Sequence, residues 1–258
     1  MRTVLTHAAA VLAGAAMVFA ISKGRVTQLH RKHGAVRLVD ARQTTEKYLQ
    51  DYQARLSRRL RAFAAQVAAD RGFSMKLLVE QQRSASEVSE IASRFMGPMG
   101  FSLLEVTDSS FRLLSSGHFP ASVGKSAARK AEMLEEEPVF VMDNIRGRKV
   151  LTLQSRIDFT IAERTFWCLG GVEVDESFLN SLTPASVSNL LLRKDGELIG
   201  ADDIETMSPL SDHEVIINDT PFQADTLRVS YRGEDGDAPV LYLLLDRPGN
   251  LSPLAPLL

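Results

Sequence analysis

His118 follows Ser115-Ser-Gly117 at the exit of a hydrophobic run, and this is the chain's one local grouping with residue types suited to proton relay or ligand contact. An imidazole beside two hydroxyls can hydrogen-bond a small molecule, and backbone amides freed at a strand exit add donors to the same spot. A hydrolytic triad would need a third partner that adjacency does not supply, so His118 with Ser115 and Ser116 reads as a ligand-contact or structural group rather than a catalytic one. The second grouping is Arg156 with Trp167. A guanidinium fork matches a carboxylate or phosphate, and an indole offers apolar area with one N–H donor, so the pair suits an anionic or zwitterionic small molecule. Strand alternation puts Arg156 on the same face as Gln154, opposite Leu153, Ser155 and Ile157. Arg146, in a glycine-bordered turn, reads as solvated or internally paired.

Other chemistry is missing from the sequence. There is no histidine pair at i,i+4, no phosphate-binding glycine loop, no dinucleotide fingerprint and no Gly-x-Ser-x-Gly elbow. Gly97-Pro-Met-Gly100 lacks the lysine of a phosphate loop and reads as a turn. The single cysteine, Cys168, excludes an internal disulfide framework and any multi-cysteine metal site, and its place in Thr165–Gly170 reads as the inside of a strand. His30 and His33 have no partner for a metal. Glu173 and Asp175 form an acidic strand end, where Asp175 is expected to cap the following helix. No catalytic residue, metal or cofactor is therefore expected. A net charge of -2 gives no global field for nucleic acid, and the positive residues gather near the N-terminus and on the first long helix.

These residues need elements to hold them. Val4 to Ile21 is an apolar run that would reach about 27 Å as a helix, so residues 1–22 read as a transmembrane anchor or a signal peptide. Residues 23–43 form a basic juxtamembrane linker; its Lys23, Arg25, Arg31, Lys32 and Arg37 argue for a cytoplasmic side by the positive-inside rule. Residues 44–99 form a helical stem. Its apolar stripe, Leu49, Tyr52, Leu56, Leu60, Phe63 and Val67, either packs on the chain's own domain or pairs with a second copy. A second helix is expected from Ser84 to Met96, ended by Gly97-Pro98.

Two strand-rich units follow. In the first, residues 100–182, Ser102–Thr107 and Phe111–Ser116 flank a turn at Asp108–Ser110. A charged helix spans about Lys125 to Glu136. Strands cover Pro138–Met142, Val150–Arg156 and Arg164–Val174, and a short helix runs from Glu176 to Leu182. The second, residues 183–247, reads as a smaller copy. It opens with a hairpin turning at Asp195-Gly196, followed by strands at His213–Asn218, Thr226–Tyr231 and Val240–Leu245. The fold class is thus α+β, with two antiparallel-sheet units, the second reduced. Residues 248–258 are a breaker-rich tail, or the start of a second membrane segment.

Leu103-Leu-Glu-Val-Thr-Asp108, Arg112-Leu-Leu-Ser-Ser-Gly-His-Phe-Pro120 and Leu169-Gly-Gly-Val-Glu-Val-Asp-Glu-Ser-Phe-Leu179 resemble the extracytoplasmic PAS-like or Cache-like sensor region of bacterial membrane-bound histidine kinases. The resemblance runs from about Thr44 to Arg247. It implies an inner-membrane-anchored, periplasmic signal-input domain of a two-component system, which binds a small molecule, relays through its stem to the membrane and performs no catalysis in this chain. Apart from the resemblance, a parallel homodimer through Leu49, Leu56, Leu60 and Phe63 is expected unless the chain's own sheet takes up that stripe. The alternatives are a membrane-anchored envelope scaffolding protein and an envelope hydrolase. Ligand contacts are expected in the first unit, at Ser115, Ser116, His118, Arg156 and Trp167.

Overall fold

The computed structural model describes residues 2–72, 74–75, 86–145, 147–200, 204, 206–211, 213–233 and 236–246; side chains are described from residue 33 onward, save those of 86, 87, 89, 209, 211 and 246. A single helix, α1, runs from Arg2 to Ala69, so the stem does not begin at Thr44 and residues 23–43 are helical too. The side chains of residues 1–22 lie outside those described. Among the described residues no helix is long and apolar enough to cross a membrane. The 248–258 tail, Arg146 and the expected start of the second helix at Ser84 are likewise outside the described residues.

The second helix, α2, spans Ser86–Met96. The first sheet has five antiparallel strands: β1 Leu103–Asp108, β2 Leu113–Ser116, β3 Val139–Ile145, β4 Arg148–Ile161 and β5 Arg164–Glu173, in the order β2-β1-β5-β4-β3. A short helix, α3, Ala128–Met133, lies between β2 and β3 and is shorter than the charged run around it suggested. Helix α4, Glu176–Leu182, leaves the sheet, and Asp175 caps it by accepting from the Phe178 N–H at 2.8 Å, as expected.

The second sheet is not a reduced copy, for it has six strands. These are β6 Asn189–Lys194, β7 Glu197–Ile199, β8 Met207–Ser211, β9 Glu214–Ile217, β10 Thr220–Arg228 and β11 Val240–Asp246, ordered β7-β6-β11-β10-β9-β8. Asp195 and Gly196 at φ 50° and 88° make the expected two-residue hairpin turn. Asn218 and Asp219, at φ 46° and 63°, make another that lets β10 begin six residues before Thr226. Pro221 lies inside that strand, which is why its start is hidden in the sequence.

Strand alternation gives the first sheet two unlike faces. One carries Leu104, Val106, Leu153, Ile157, Phe166 and Cys168 and packs on α1 and α2 through Leu56, Leu60, Phe63, Val67 and Ile91, all in one core with Leu190, Leu192, Leu241 and Leu243 of the second sheet. The stripe put forward for parallel pairing is therefore used inside the chain, since Leu56, Leu60 and Phe63 have no exposed surface. The Gly170-Gly171 pair of β5 serves close approach. A Cβ on Gly170 would sit 2.6 Å from Leu60 Cδ1, and one on Gly171 2.5 Å from the Leu153 carbonyl oxygen. The other face carries Glu105, Gln154, Arg156, Trp167 and Leu169, and α3 covers part of it with Ala131 and Leu134.

Candidate functional site

Glu105 on β1 points to the α3-covered face because Leu104 and Val106 on either side of it fill the stem-facing core. Its carboxylate is buried, and Lys130 and His118 come to meet it. Lys130 of α3 places its ammonium 2.8 Å from Glu105 Oε2 and 2.6 Å from Asp143 Oδ2 on β3. His118 Nε2 lies 3.5 Å from Glu105 Oε1. Gln154 donates from Nε2 to Asp143 Oδ2 at 2.8 Å and to Thr152 Oγ1 at 2.7 Å, while the Asn144 N–H donates to Asp143 Oδ1 at 2.7 Å. Thr152 in turn donates to the Val141 carbonyl at 2.8 Å.

The ionisation of this cluster follows from its burial and its neighbours. Burial works against the Lys130 ammonium, but Glu105 and then Asp143 outweigh it and hold the lysine above its ordinary value. Burial would raise Asp143; Lys130 overrides it and keeps that carboxyl low. For His118 burial wins, helped by Lys130 against the pull of Glu105, so the imidazole is held below its ordinary value and is neutral at pH 7. Lys130 thus faces Glu105 and Asp143 together. One acceptor within the cluster, Gln154 Oε1, is buried without a partner among the described residues.

A cleft of about 330 Å³ opens beside this cluster, lined by Glu105, His118, Lys130 and Asp143 at its floor and by Lys125 and Arg129 toward solvent. It is walled by the loop after β2 and by α3. Groups of both signs border one small volume, which is the arrangement a zwitterion requires.

The five residues picked from sequence separate into three places. His118 lines the cleft. Ser116 stands behind it, its hydroxyl 3.5 Å from His118 Nδ1 and accepting from the Phe119 N–H at 3.2 Å. Ser115 faces the other way, where its hydroxyl accepts from the Ala92 N–H of α2 at 3.0 Å. Arg156 and Trp167 do meet, the guanidinium 4.5 Å from the indole centroid and 5.9 Å from the Phe111 ring, which is tilted against the indole at 5.6 Å. Neither lines the cleft. Arg156 Nη1 donates to the Ala131 carbonyl at 2.5 Å, and its backbone N–H donates to Glu135 O at 2.8 Å, so this arginine fastens α3 to the sheet. Sequence reasoning passed over Glu105, Lys130, Asp143 and Gln154. A glutamate between leucine and valine in a strand was the one visible signal, because alternation leaves it either solvated or buried with a cation.

Ser116, His118 and Glu105 form a line that resembles a hydrolytic relay. Ser116 has no exposed surface, so no acyl group can reach its hydroxyl. Cys168 is equally sealed, and burial pushes its thiol well above the usual range.

No protein-family model and no curated protein sequence matches the chain. Solved structures do. The periplasmic domain of Vibrio cholerae LuxQ is 15% identical, with 80% of this chain and 98% of that one covered at a TM-score of 0.51. The sensory domain of the Campylobacter jejuni chemoreceptor Tlp3 is 13% identical over 84% of this chain and 95% of that one, at a TM-score of 0.52. The ligand-binding domain of Tlp3 in complex with L-valine gives 13%, 84%, 94% and 0.51. This chain has the PAS-like/Cache-like fold of extracytoplasmic sensor domains. The Glu105 cleft lies in the first of the two sheet units of that fold.

Proposed function

We propose that this chain is the extracytoplasmic, non-catalytic ligand-sensing input region of a bacterial signalling protein, taking a small zwitterion into the cleft beside Glu105. The observation that carries this is the buried cluster of Glu105, Asp143 and Lys130, open to a cleft whose outer wall is basic. A ligand ammonium is directed to Glu105 and Asp143, and its carboxylate meets Lys125 and Arg129. The fold is shared with a domain solved with L-valine bound, and a bound amino acid has the charge pattern this cleft suits. His118 is the ligand-contact residue retained from the sequence reading, with Ser116 orienting it. Arg156 and Trp167 act on the ligand indirectly, through α3. Residues 1–22 anchor the chain in the inner membrane in this reading, and α1 carries the response toward it.

The test uses the full chain in nanodiscs, with calorimetric titration of amino acids, small amines and dicarboxylates. We expect saturable binding of a compound with a primary ammonium, weakened at least about tenfold by Glu105→Gln, since hydrogen bonds to a charged partner contribute roughly 1.5–3 kcal/mol. Binding that keeps its affinity in both Glu105→Gln and Asp143→Asn would sink the assignment.

A further inference from the structure

The Glu105–Asp143 pair already holds a primary ammonium, and it belongs to the protein. Lys130 Nζ bridges the two carboxylates at 2.8 and 2.6 Å from a six-residue helix whose N-cap residue, Ala127, makes no side-chain capping bond. So short a helix has little stability of its own. What keeps it on the sheet is the lysine, the Arg156 bond to the Ala131 carbonyl, and the packing of Ala131 and Leu134 against Val139, Val141 and Leu169. Gln154, whose amide nitrogen is bonded to Asp143, has a buried Oε1 with no donor among the described residues. The cluster thus holds one acceptor that the tethered lysine does not satisfy. A free ammonium, unconstrained by a side-chain stem, has three N–H groups to share among such acceptors.

We propose that Lys130 is an intramolecular stand-in for the ligand: the Glu105–Asp143–Gln154 site is a primary-ammonium site, and an incoming amine replaces Lys130 and releases α3 from the sheet. This rests on the cleft being the sensory site and adds how occupancy becomes movement. Both states satisfy the carboxylates, so the exchange needs no bare buried charge at equilibrium. Specificity follows from the same competition. A quaternary ammonium has no N–H to offer and does not displace the lysine, whereas an amine that also carries a carboxylate gains the basic rim.

Two measurements on the full chain decide it. The first is chemical rescue of Lys130→Ala. Removing the ammonium leaves two buried carboxylates facing each other, and the melting temperature should fall by on the order of 6–12 °C. n-Butylammonium chloride should restore most of that loss in the variant, while tetramethylammonium chloride at equal ionic strength should restore none. Rescue by neither salt, or equally by both, overturns the ammonium site. If Lys130→Ala is recovered only as unfolded protein, its refolding yield takes the place of the melting temperature: n-butylammonium should raise it and tetramethylammonium should not, and a yield raised by neither or equally by both overturns the site. The second follows release of α3 in wild type as glycine and ethanolamine are titrated. Trp167 is the only tryptophan and stacks on the arginine that holds α3, so its emission reports the detachment. The amides of Ala131 and Arg156, bonded to Ala127 O and Glu135 O, should exchange faster in the same titration. Binding that leaves Trp167 emission and both amides unchanged would keep the sensing reading and reject the displacement. A selective rescue with no ligand found by calorimetry would instead keep the ammonium site and reject the zwitterion.

Discussion

A histidine buried 3.5 Å from a carboxylate is pulled two ways, and His118 shows which wins when a lysine has reached the carboxylate first. Desolvation and Lys130 together hold the imidazole neutral. The consequence is a pH dependence with a definite sign. The unfolded chain takes up a proton on this histidine near 6.5, and the folded chain only at lower pH, so between the two values the unfolded state binds more protons. Stability from this group is therefore whole above 6.5 and lost as pH falls through the folded value. His118→Gln keeps a hydrogen-bonding side chain without a titration, so the fall in unfolding free energy between pH 7 and pH 5 should be smaller in the variant. An equal fall in both proteins would show that His118 does not titrate differently in the two states. Asp143 adds a loss of the same sign further into acid, beginning below its ordinary 3.8. Lys130 works at the other end: its contribution is whole below the ordinary 10.5 and is lost only as pH rises through its raised folded value.

At the scale of elements, what could be read from the sequence was whatever one element decides alone. The α1 stripe was legible because the 3.6-residue period holds from Leu49 to Val67, but its partner was not, because periodicity marks a buried face without naming what buries it. The structure supplies the first sheet as that partner, and Phe63→Ala should cost about 3–5 kcal/mol in chemical denaturation of the monomer, as a core truncation does. A smaller loss, with Phe63 crosslinking between copies when replaced by cysteine, would return the stripe to a dimer. The Asp195-Gly196 hairpin was legible from its residues; the turn at Ala162-Glu163, φ 45° and 66°, was not, since neither residue favours that conformation. Strand β4 consequently runs on to Ile161, past the expected end at Arg156. Gly171 makes a sharper case, because its Cβ would meet backbone of β4, which cannot swing aside as the tip of Leu60 can beside Gly170. Gly171→Ala is accordingly expected to destabilise by roughly 1–3 kcal/mol in the same denaturation measurement, the range for overpacking. The candidate site was legible only at His118. Its other members lie on β1, α3, β3 and β4, and what joins them is strand order, which no local pattern states.

Across the whole molecule the two sheets are tied at one strand edge as well as through α1. Phe140 of β3 forms an isolated parallel bridge with Tyr231, its N–H donating to Ser230 O at 2.9 Å and its carbonyl accepting from the Arg232 N–H at 2.8 Å. Its ring fills the core between the units, edge-on to Phe178 of α4 at 6.2 Å, and Phe178 packs on Tyr52 of α1 at 5.0 Å. Strand β3 thus carries Asp143 at the Glu105 cleft and, three residues earlier, the residue that joins the second sheet. A shift of β3 has a route to both the stem and the second unit without any long-range wire, because the two elements are in direct contact. Two consequences separate this arrangement from a pair of independent modules. Wild type should unfold in one transition by both Trp167 emission, which sees only the first sheet, and far-ultraviolet dichroism, which sees all of it. Phe140→Ala removes a ring with almost no exposed surface and should cost about 3–5 kcal/mol. Because the lost contacts lie between the units, the two probes should then part, with separate midpoints. Coincident midpoints in Phe140→Ala would mean that α1 alone couples the sheets, and the route from cleft to membrane would run through the stem without passing β3.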